Sequence, residues 1–551
     1  MLNRWAAGLA VACLLIVAPA AEARTWTVRS PGKAVAASVR AAGGAVTVTA
    51  HRGGVRAFSA RVDTGRAGRV VVRRRAVRKR FRTPVGKRRV HDVRASLLSV
   101  RIGRTRVEIL AADDGVAIRG AGDPRYRMPS GSRAWLQRYA SNYEAEYRAT
   151  GLRSARGAYG FPALVSAPGG RWTLLTEAGR GAGHLRARAG VLRVTRAARG
   201  TWRLAVIGDL RDVVGSSLPL ALGRPSRIRD TSWIRPGRVA WSWWSDSSSP
   251  SRLETQREYV DAAAARGWEY VLVDEGWDPA WMPELVRYAA DRGVRVLLWT
   301  HWRELRDRGR RARLLDRWAA WGVAGVKADF LQSDRPRRIA VYDVIARAAA
   351  RRRLLVNFHG CTLPRGIQRT WPNVLTMEAV LGAEHAKAGT VAAAHDVDLV
   401  FTRNAVGSMD YTPALTARGS TAGHQLALAV AFESGLQHLA DRPATYTANP
   451  AADAVLRALP VAWDDTRLLD GAPDSHAVVA RRSGAEWWVA GIHAGAATTR
   501  TVALGFLPPG RSYRATVTAD DLTPREATVT AADTLTVPVA ADGGFTVRLR
   551  P

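Results

Sequence analysis

Between residues 241 and 384, carboxylates and tryptophans gather wherever a short apolar run ends. The runs close on Trp241-Ser242-Trp243-Trp244-Ser245-Asp246, on Asp274-Glu275-Gly276-Trp277, on Trp299-Thr300-His301-Trp302, on Lys327-Ala328-Asp329-Phe330, on Asn357-Phe358-His359-Gly360, and on Glu378, with Glu384 just beyond. A later run closes on Thr402-Arg403. The chain holds 20 Trp against 9 Phe and 12 Tyr, and a ring with an apolar body and one N–H can lie along a sugar while the N–H finds a partner. Carboxylates beside aromatic walls are what glycoside cleavage needs: one attacks or steadies an oxocarbenium-like centre, the other protonates the leaving oxygen. Metal-binding His clusters and a Gly-x-Ser-x-Gly elbow do not occur in the sequence. By residue type alone, Asp274, Glu275 and Asp278 rank equal to Asp329, while Trp268 and Trp321 read as core.

The elements that must carry these residues alternate short strands with amphipathic helices. Candidate strands run over 239–244, 268–274, 294–300, 323–330, 354–358, 374–378, 399–402 and 436–439, with helices predicted over 252–266, 283–291, up to Trp321, and over 336–350. Eight βα units in about 220 residues predict a (β/α)8 barrel, whose active site lies at the C-terminal strand ends. A doubly wound sheet competes, but no Gly-rich phosphate fingerprint follows any strand. Before the barrel, alternating runs such as Ala45-Val46-Thr47-Val48-Thr49 predict a large β-sandwich, and after Pro460 runs such as Trp487-Trp488-Val489-Ala490 predict a small one. The boundaries are an N-terminal sandwich over 24–230, the barrel over 231–460 and a C-terminal sandwich over 461–551, with a turn signal at Ile234-Arg235-Pro236-Gly237.

Residues 1–23 read as an export signal: Arg4, an apolar stretch from Leu9 to Val17, and the small-x-small site Ala21-Glu22-Ala23. That predicts a secreted or cell-envelope protein with no membrane span in the mature chain and with Cys361 as its one cysteine, so no internal disulfide. Lys and Arg number 83 against 47 Asp and Glu, a net charge of +36. Residues 51–100 alone hold 16 basic residues against Asp63 and Asp92. A solvated basic face is favoured over a nucleic-acid footprint because no nucleic-acid motif accompanies it.

Taken together, Val239-Ala240-Trp241-Ser242-Trp243-Trp244, Gly267-Trp268-Glu269-Tyr270 through Trp277, Gly325-Val326-Lys327-Ala328-Asp329-Phe330, Phe358-His359-Gly360, Arg369-Thr370-Trp371-Pro372-Asn373, and Phe401-Thr402-Arg403 through Met409-Asp410-Tyr411-Thr412-Pro413 resemble glycoside hydrolase family 97. The resemblance is strong from about Ala134 to Leu439. It implies an α-glycosidase with a catalytic Ca2+. It also implies the retaining branch: the strand-four nucleophile matches Asp329, and Trp302 and Gly360 stand where inverting members carry base glutamates. It further implies that Glu384 is the general acid/base, that Glu378 is a calcium ligand, and that a second ligand from the N-terminal domain is Glu144 within Asn142-Tyr143-Glu144-Ala145-Glu146-Tyr147, with Glu146 as the alternative.

On this reading Lys327, His301 and His359 hold sugar hydroxyls, and Trp243, Asp274 and Glu275 join them in substrate binding. The histidines also read as plain hydrogen bonders at the barrel top, Asp410 and Arg403 as salt-bridge structure, and Glu433 as part of a helix away from the site. The leading expectation is a secreted, calcium-dependent, retaining exo-α-glycosidase acting on terminal α-galactosides or α-glucosides of an oligosaccharide. The alternatives are a catalytically inactive carbohydrate-binding protein on the same scaffold, and a binder of acidic polymers driven by the basic charge.

Overall fold

The computed structural model describes residues 16–18, 24–65, 68–120, 122–179, 181, 183–195 and 200–551. The export-signal reading therefore falls on residues that lie, apart from Ile16–Ala18, outside the described ones.

The N-terminal region is a sandwich of two antiparallel sheets. Its inner faces follow the alternation in the sequence: Val35, Ala37, Val39 and Ala41 of one sheet are buried, as are Leu98, Val100, Val107 and Ile109 of the other, which is the period-2 pattern of a half-buried strand. Two features of this domain reach the barrel. The long hairpin of Val70–Arg82 and Val90–Ile102 ends in a turn whose Gly86 N–H donates to Glu433 Oε1 (2.9 Å) and whose Lys87 Nζ donates to Ala405 O (2.7 Å). The loop joining strands Arg133–Gln137 and Tyr147–Gly151 is gathered by Gln137, whose Nε2 donates to the carbonyls of Tyr143 (2.5 Å) and Ala145 (2.7 Å).

The central domain is a (β/α)8-type barrel. Its strands are β1 (Gly237–Trp241), β2 (Tyr270–Val273), β3 (Arg295–His301), β4 (Gly325–Asp329), β5 (Leu355–Phe358), β6 (Val374–Met377) and β7 (Leu436–Leu439), all parallel in the order β6-β5-β4-β3-β2-β1-β7. They read as near-continuous apolar runs because both faces are covered. The main crossover helices are α1 (Leu253–Arg266), α2 (Met282–Ala290), α3 (Arg308–Trp321) and α4 (Pro336–Ala350). Three of them show a local reason to begin or end: Gly267 takes φ +65° to terminate α1, Asp307 accepts the Arg310 N–H at the start of α3, and Pro336 opens α4 where no donor is needed.

The strand expected at Leu399–Thr402 is a helix instead, α5 (Ala393–Phe401). Every residue whose spacing could have distinguished the two is buried: Val397, Leu399, Val400 and Phe401 face protein on all sides, so the apolar run carries no period to read. The gap between β6 and β7 is filled by the irregular segment 408–413. Asp410 N donates to Met377 O (3.0 Å), Met409 N donates to Glu433 O (2.9 Å), and Pro413 O accepts from Ala440 N. Helix α6 (Ala422–Ala431) is buried on every side and packs against the C-terminal domain, a six-stranded antiparallel sheet with a separate two-stranded ribbon. Trp487, Phe545 and Val547 fill the core of that domain.

Candidate active site

The C-terminal ends of β2, β4, β5 and β6 bring ionisable groups together in a nearly dry space. Lys327, on β4, is 3% exposed and donates to Asp274 Oδ2 at 2.9 Å. The same oxygen accepts from Trp241 Nε1 (2.7 Å), and Asp274 Oδ1 accepts the Glu275 N–H (2.8 Å), so the Asp274 carboxylate is spent within the protein. Burial works against the Lys327 charge, but Asp274, Glu384 and Asp329 outweigh it and hold its pKa above the ordinary range. Lys327 is thus a fixed cation in a ring of carboxylates.

Asp329 ends β4. Its Oδ2 accepts from Trp299 Nε1 at 3.1 Å and its Oδ1 from the Phe330 N–H at 2.5 Å. Burial pushes its pKa up, while Lys327, His359 and the Trp299 hydrogen bond pull it back. The backbone turns sharply here, with Phe330 at φ +61°, and Gly360 at φ +48° comes so close that an added Cβ would stand 2.9 Å from Phe330 Cα and 3.1 Å from Asp329 Oδ1. Only glycine fits beside this carboxylate. The His301 ring stacks on Phe330 with centroids 5.5 Å apart, and its Nδ1 accepts the Arg303 N–H (3.1 Å).

A second network joins β5, β6 and β7. His359 Nδ1 lies 3.2 Å from Glu378 Oε1 and its Nε2 lies 2.7 Å from Asp410 Oδ2. Burial opposes charge on His359, but with a carboxylate at each nitrogen its pKa is held well above the usual value. Asp410 also accepts from Asn357 Nδ2 (2.6 Å) and lies 2.9 Å from His438 Nδ1; despite burial, the two histidines hold its carboxyl far below the usual range. Glu378 Oε2 accepts the Gly360 N–H at 2.6 Å, and His359 keeps its pKa low against the effect of burial. Glu384, in the short turn Ala383–Lys387 after β6, is pushed up to about 7 by burial, with Lys327 opposing and Glu378 adding to the shift.

The N-terminal loop delivers Glu144 to this cluster. Burial and the Glu378 charge push Glu144 up to about 8, and its Oε2 lies 3.4 Å from His385 Nε2. Glu146 turns the other way and pairs with the exposed Arg148 at 2.9 Å. His359, Glu378 and Glu384 each bring a donor atom within 4.8 Å of the others. The Glu378 charge raises the pKa of both Glu144 and Glu384, and the Glu144 and Glu378 carboxylates gathered in this way form a hard-oxygen donor set that Ca2+ fits.

Of the residues singled out from the sequence, Asp329, Glu384, Lys327, His301, His359, Asp274, Glu378 and Glu144 converge on this space. Glu275 is exposed at its rim beside Asp274 and Asp329. Trp243 is half-buried, stacked on Trp241 (5.8 Å) with Lys387 Nζ over its ring at 4.2 Å. Two readings need correction. Arg403 makes no salt bridge among the described residues; its guanidinium donates to the carbonyls of Met377, Glu378, Gly407 and Ser408 and so fixes the end of β6. The salt-bridge reading of Asp410 holds, its partners being His359 and His438. Glu433 follows α6 and braces the segment 404–408, its Oε2 accepting from Ser408 Oγ at 2.6 Å. Sequence reasoning placed Trp299 at a strand end without giving it a partner, and it missed His385, which stands next to Glu384, the available signal.

Three family models match the chain: Glycosyl-hydrolase 97 N-terminal over residues 58–225, Glycoside hydrolase 97 over 233–380, and Glycosyl-hydrolase 97 C-terminal, oligomerisation, over 462–550. A probable retaining alpha-galactosidase of Streptomyces bingchenggensis is 40% identical across 97% of this chain and 94% of its own length. The retaining alpha-galactosidase of Bacteroides thetaiotaomicron is 33% identical over 63% of this chain and 59% of its own. Among solved structures, a glycoside hydrolase family 97 enzyme from Pseudoalteromonas sp. strain K8, in complex with acarbose, superposes with a TM-score of 0.85 at 22% identity, covering 95% of this chain and all of that one.

Proposed function

The chain belongs to glycoside hydrolase family 97, and on that premise we propose that it is a secreted, calcium-dependent, retaining exo-α-galactosidase. That it is a glycoside hydrolase, acting on an oligosaccharide or glycoside, follows from the family and its relatives. The observation that carries the finer reading is the pairing of Asp329, gripped at both oxygens by Trp299 and the Phe330 N–H, with Glu384, whose carboxyl is pushed up to about 7.

Asp329 is aimed by two donors and faces the Lys327 cation, which favours its ionised form for attack on the anomeric carbon. Glu384 starts protonated, gives its proton to the leaving oxygen, and then takes one from the water that cleaves the glycosyl-aspartate ester. Lys327, held charged by its carboxylate neighbours, offers its remaining N–H donors to sugar hydroxyls; His359, with both nitrogens on Glu378 and Asp410, holds those carboxylates in place, and His301 closes the side of Asp329. Glu378 and Glu144 would hold Ca2+, which when bound supplies a hard positive charge that orients groups at the reacting centre. The names of the two relatives support galactose as the first sugar, with α-glucoside second. The export-signal pattern supports secretion, and the +36 charge supports association of the enzyme with acidic polymers.

Hydrolysis of a panel of p-nitrophenyl α- and β-glycosides, with and without calcium after exhaustive chelation, tests this reading. Cleavage of the α-galactoside that chelation abolishes and calcium restores is expected. Cleavage indifferent to chelation removes the calcium part, and cleavage of the α-glucoside alone replaces the sugar. Proton NMR of the first sugar released should show the α anomer; the β anomer at early times would dismiss Asp329 as nucleophile.

A further inference from the structure

Residues 70–106 carry 14 Lys or Arg and a single acidic residue, Asp92, whereas the chain as a whole has fewer than two basic residues for each acidic one. A general preference for arginine does not produce so one-sided a stretch. The register shows where the charge points. Arg73 stands opposite Ser99 and Arg75 opposite Leu97; on the next strand Ser99 faces Glu108 and Arg101 faces Arg106. Side chains directly opposite one another share a face, so Arg73, Arg75, Arg101 and Arg106 project from one side of three adjacent strands.

All four are exposed, and none forms an ion pair among the described residues. The carboxylate on this face, Glu108, is already taken by Arg119 (Nε to Oε2 2.7 Å), and Asp92, on the other face, by Arg78 (2.8 and 2.5 Å). Like charges directly opposite, as in Arg101 and Arg106, destabilise a sheet unless something neutralises them. Arg73, Arg74, Arg75, Arg106, Leu97 and Ser99, together with the Arg119-paired Glu108, line a cleft of about 280 Å³, and Leu97 is buried among them. Lower on the same strand, burial, with Arg369, Arg119 and Arg75 adding to it, pushes Lys79 down to about 8.

We propose that this sheet face docks an acidic polysaccharide, with its carboxylate or sulfate groups on Arg73, Arg75, Arg101 and Arg106, and so holds the catalytic barrel beside that polymer. The inference rests on the acidic-polymer association proposed above and gives it a place; it does not depend on which sugar the barrel cleaves. Residues two apart on a strand stand about 7 Å from each other and neighbouring strands about 4.8 Å apart. That grid suits charges on successive sugar rings better than one compact anion. Single-stranded nucleic acid is disfavoured because binding it calls for aromatic faces on which bases stack. The nearby rings are already covered: Trp202 by the Arg119 guanidinium at 4.3 Å and Phe81 by that of Arg369 at 4.2 Å.

The test compares the full chain with the quadruple variant R73Q/R75Q/R101Q/R106Q and with R186Q/R188Q/R193Q, which removes exposed arginines from the other sheet. Affinity for polygalacturonate and heparin is measured across a salt series, with dextran and duplex DNA as references; hydrolysis of a small glycoside and melting temperature report folding. Expected are binding of both acidic polymers but not dextran, a steep decline with salt, a loss of about tenfold or more in the quadruple variant with a shallower salt slope, and little change in the other. If the quadruple variant melts early, R73Q/R75Q is read in its place. Unchanged affinity in these variants, equal loss in both sets, or tighter binding of duplex DNA than of either polysaccharide would overturn the proposal. Loss of hydrolysis with binding intact would instead count against the catalytic reading.

Discussion

At the barrel mouth, Lys327 is buried and meets Asp274, Glu384 and Asp329, whereas Arg73, Arg75, Arg101 and Arg106 on the N-terminal sheet are exposed and form no ion pair among the described residues. Both regions concentrate charge, but water separates their consequences. In the barrel there is little solvent to screen a charge, so each must be answered by another: Lys327 by Asp274, His359 by Glu378 and Asp410. On the sheet, solvent screens the arginines enough for them to stand unpaired, and the repulsion that remains between them is relieved by an anionic partner. A cation fixed by burial serves chemistry at one point; an array of exposed cations serves recognition of something long.

That contrast predicts unequal penalties. The largest falls on Asp329→Asn, expected to lower kcat on the order of 10⁴-fold or more with the protein still folded. Steady-state hydrolysis of a p-nitrophenyl glycoside measures it, and activity within tenfold of the parent would move the nucleophile elsewhere. Next, Lys327→Met strips the buried Asp274 of its cation, and losing one partner of a buried pair costs about 3–5 kcal/mol. Urea unfolding should register that; an unchanged midpoint would mean that solvent reaches Asp274 after all.

A subtler effect lies in the pH profile. Glu384 must be protonated to act on the leaving oxygen, and burial raises it to about 7, so kcat/KM should fall as pH rises past that value, about tenfold per unit. A dinitrophenyl glycoside, whose leaving group needs no proton, should lose this alkaline limb; retention of the limb would assign it to another group. Smallest of all is the effect of R73Q/R75Q/R101Q/R106Q on hydrolysis of a small substrate, expected to stay within about twofold because exposed substitutions shift stability by only about 0.5 kcal/mol. A large loss there would erase the distinction between the two regions.

Much of the barrel was legible because its strands are short, apolar and punctuated by polar residues at their C-terminal ends, so that Asp274, Asp329, Glu378 and their neighbours could be named from position. Leu399–Thr402 was misread because α5 is buried all round and an apolar run without polar interruptions carries neither a helical nor a strand period. The segment 408–413 that completes the barrel has no strand pattern at all; it is held by hydrogen bonds to Met377 and Glu433, which lie 33 and 24 residues from Asp410 and Met409. Arg403 looked like a salt-bridge former since arginine usually is one, yet it answers backbone carbonyls.

The sequence by itself determined which side chains are available and in what order the strands present them, because periodicity and turn residues act over a few positions. It also placed Arg73 and Arg75 at alternate positions of one strand. Which carboxylates share a space was decided by the tertiary structure alone. Glu144 and Glu146 differ by two residues in a loop, where no periodicity fixes direction; the grip of Gln137 on the Tyr143 and Ala145 carbonyls turns the first toward Glu378 and leaves the second with Arg148. Charges and pKa values depend on burial and on neighbours brought from other strands, so the raised carboxyls of Glu144 and Glu384 and the charged His359 exist only once the barrel has closed around them.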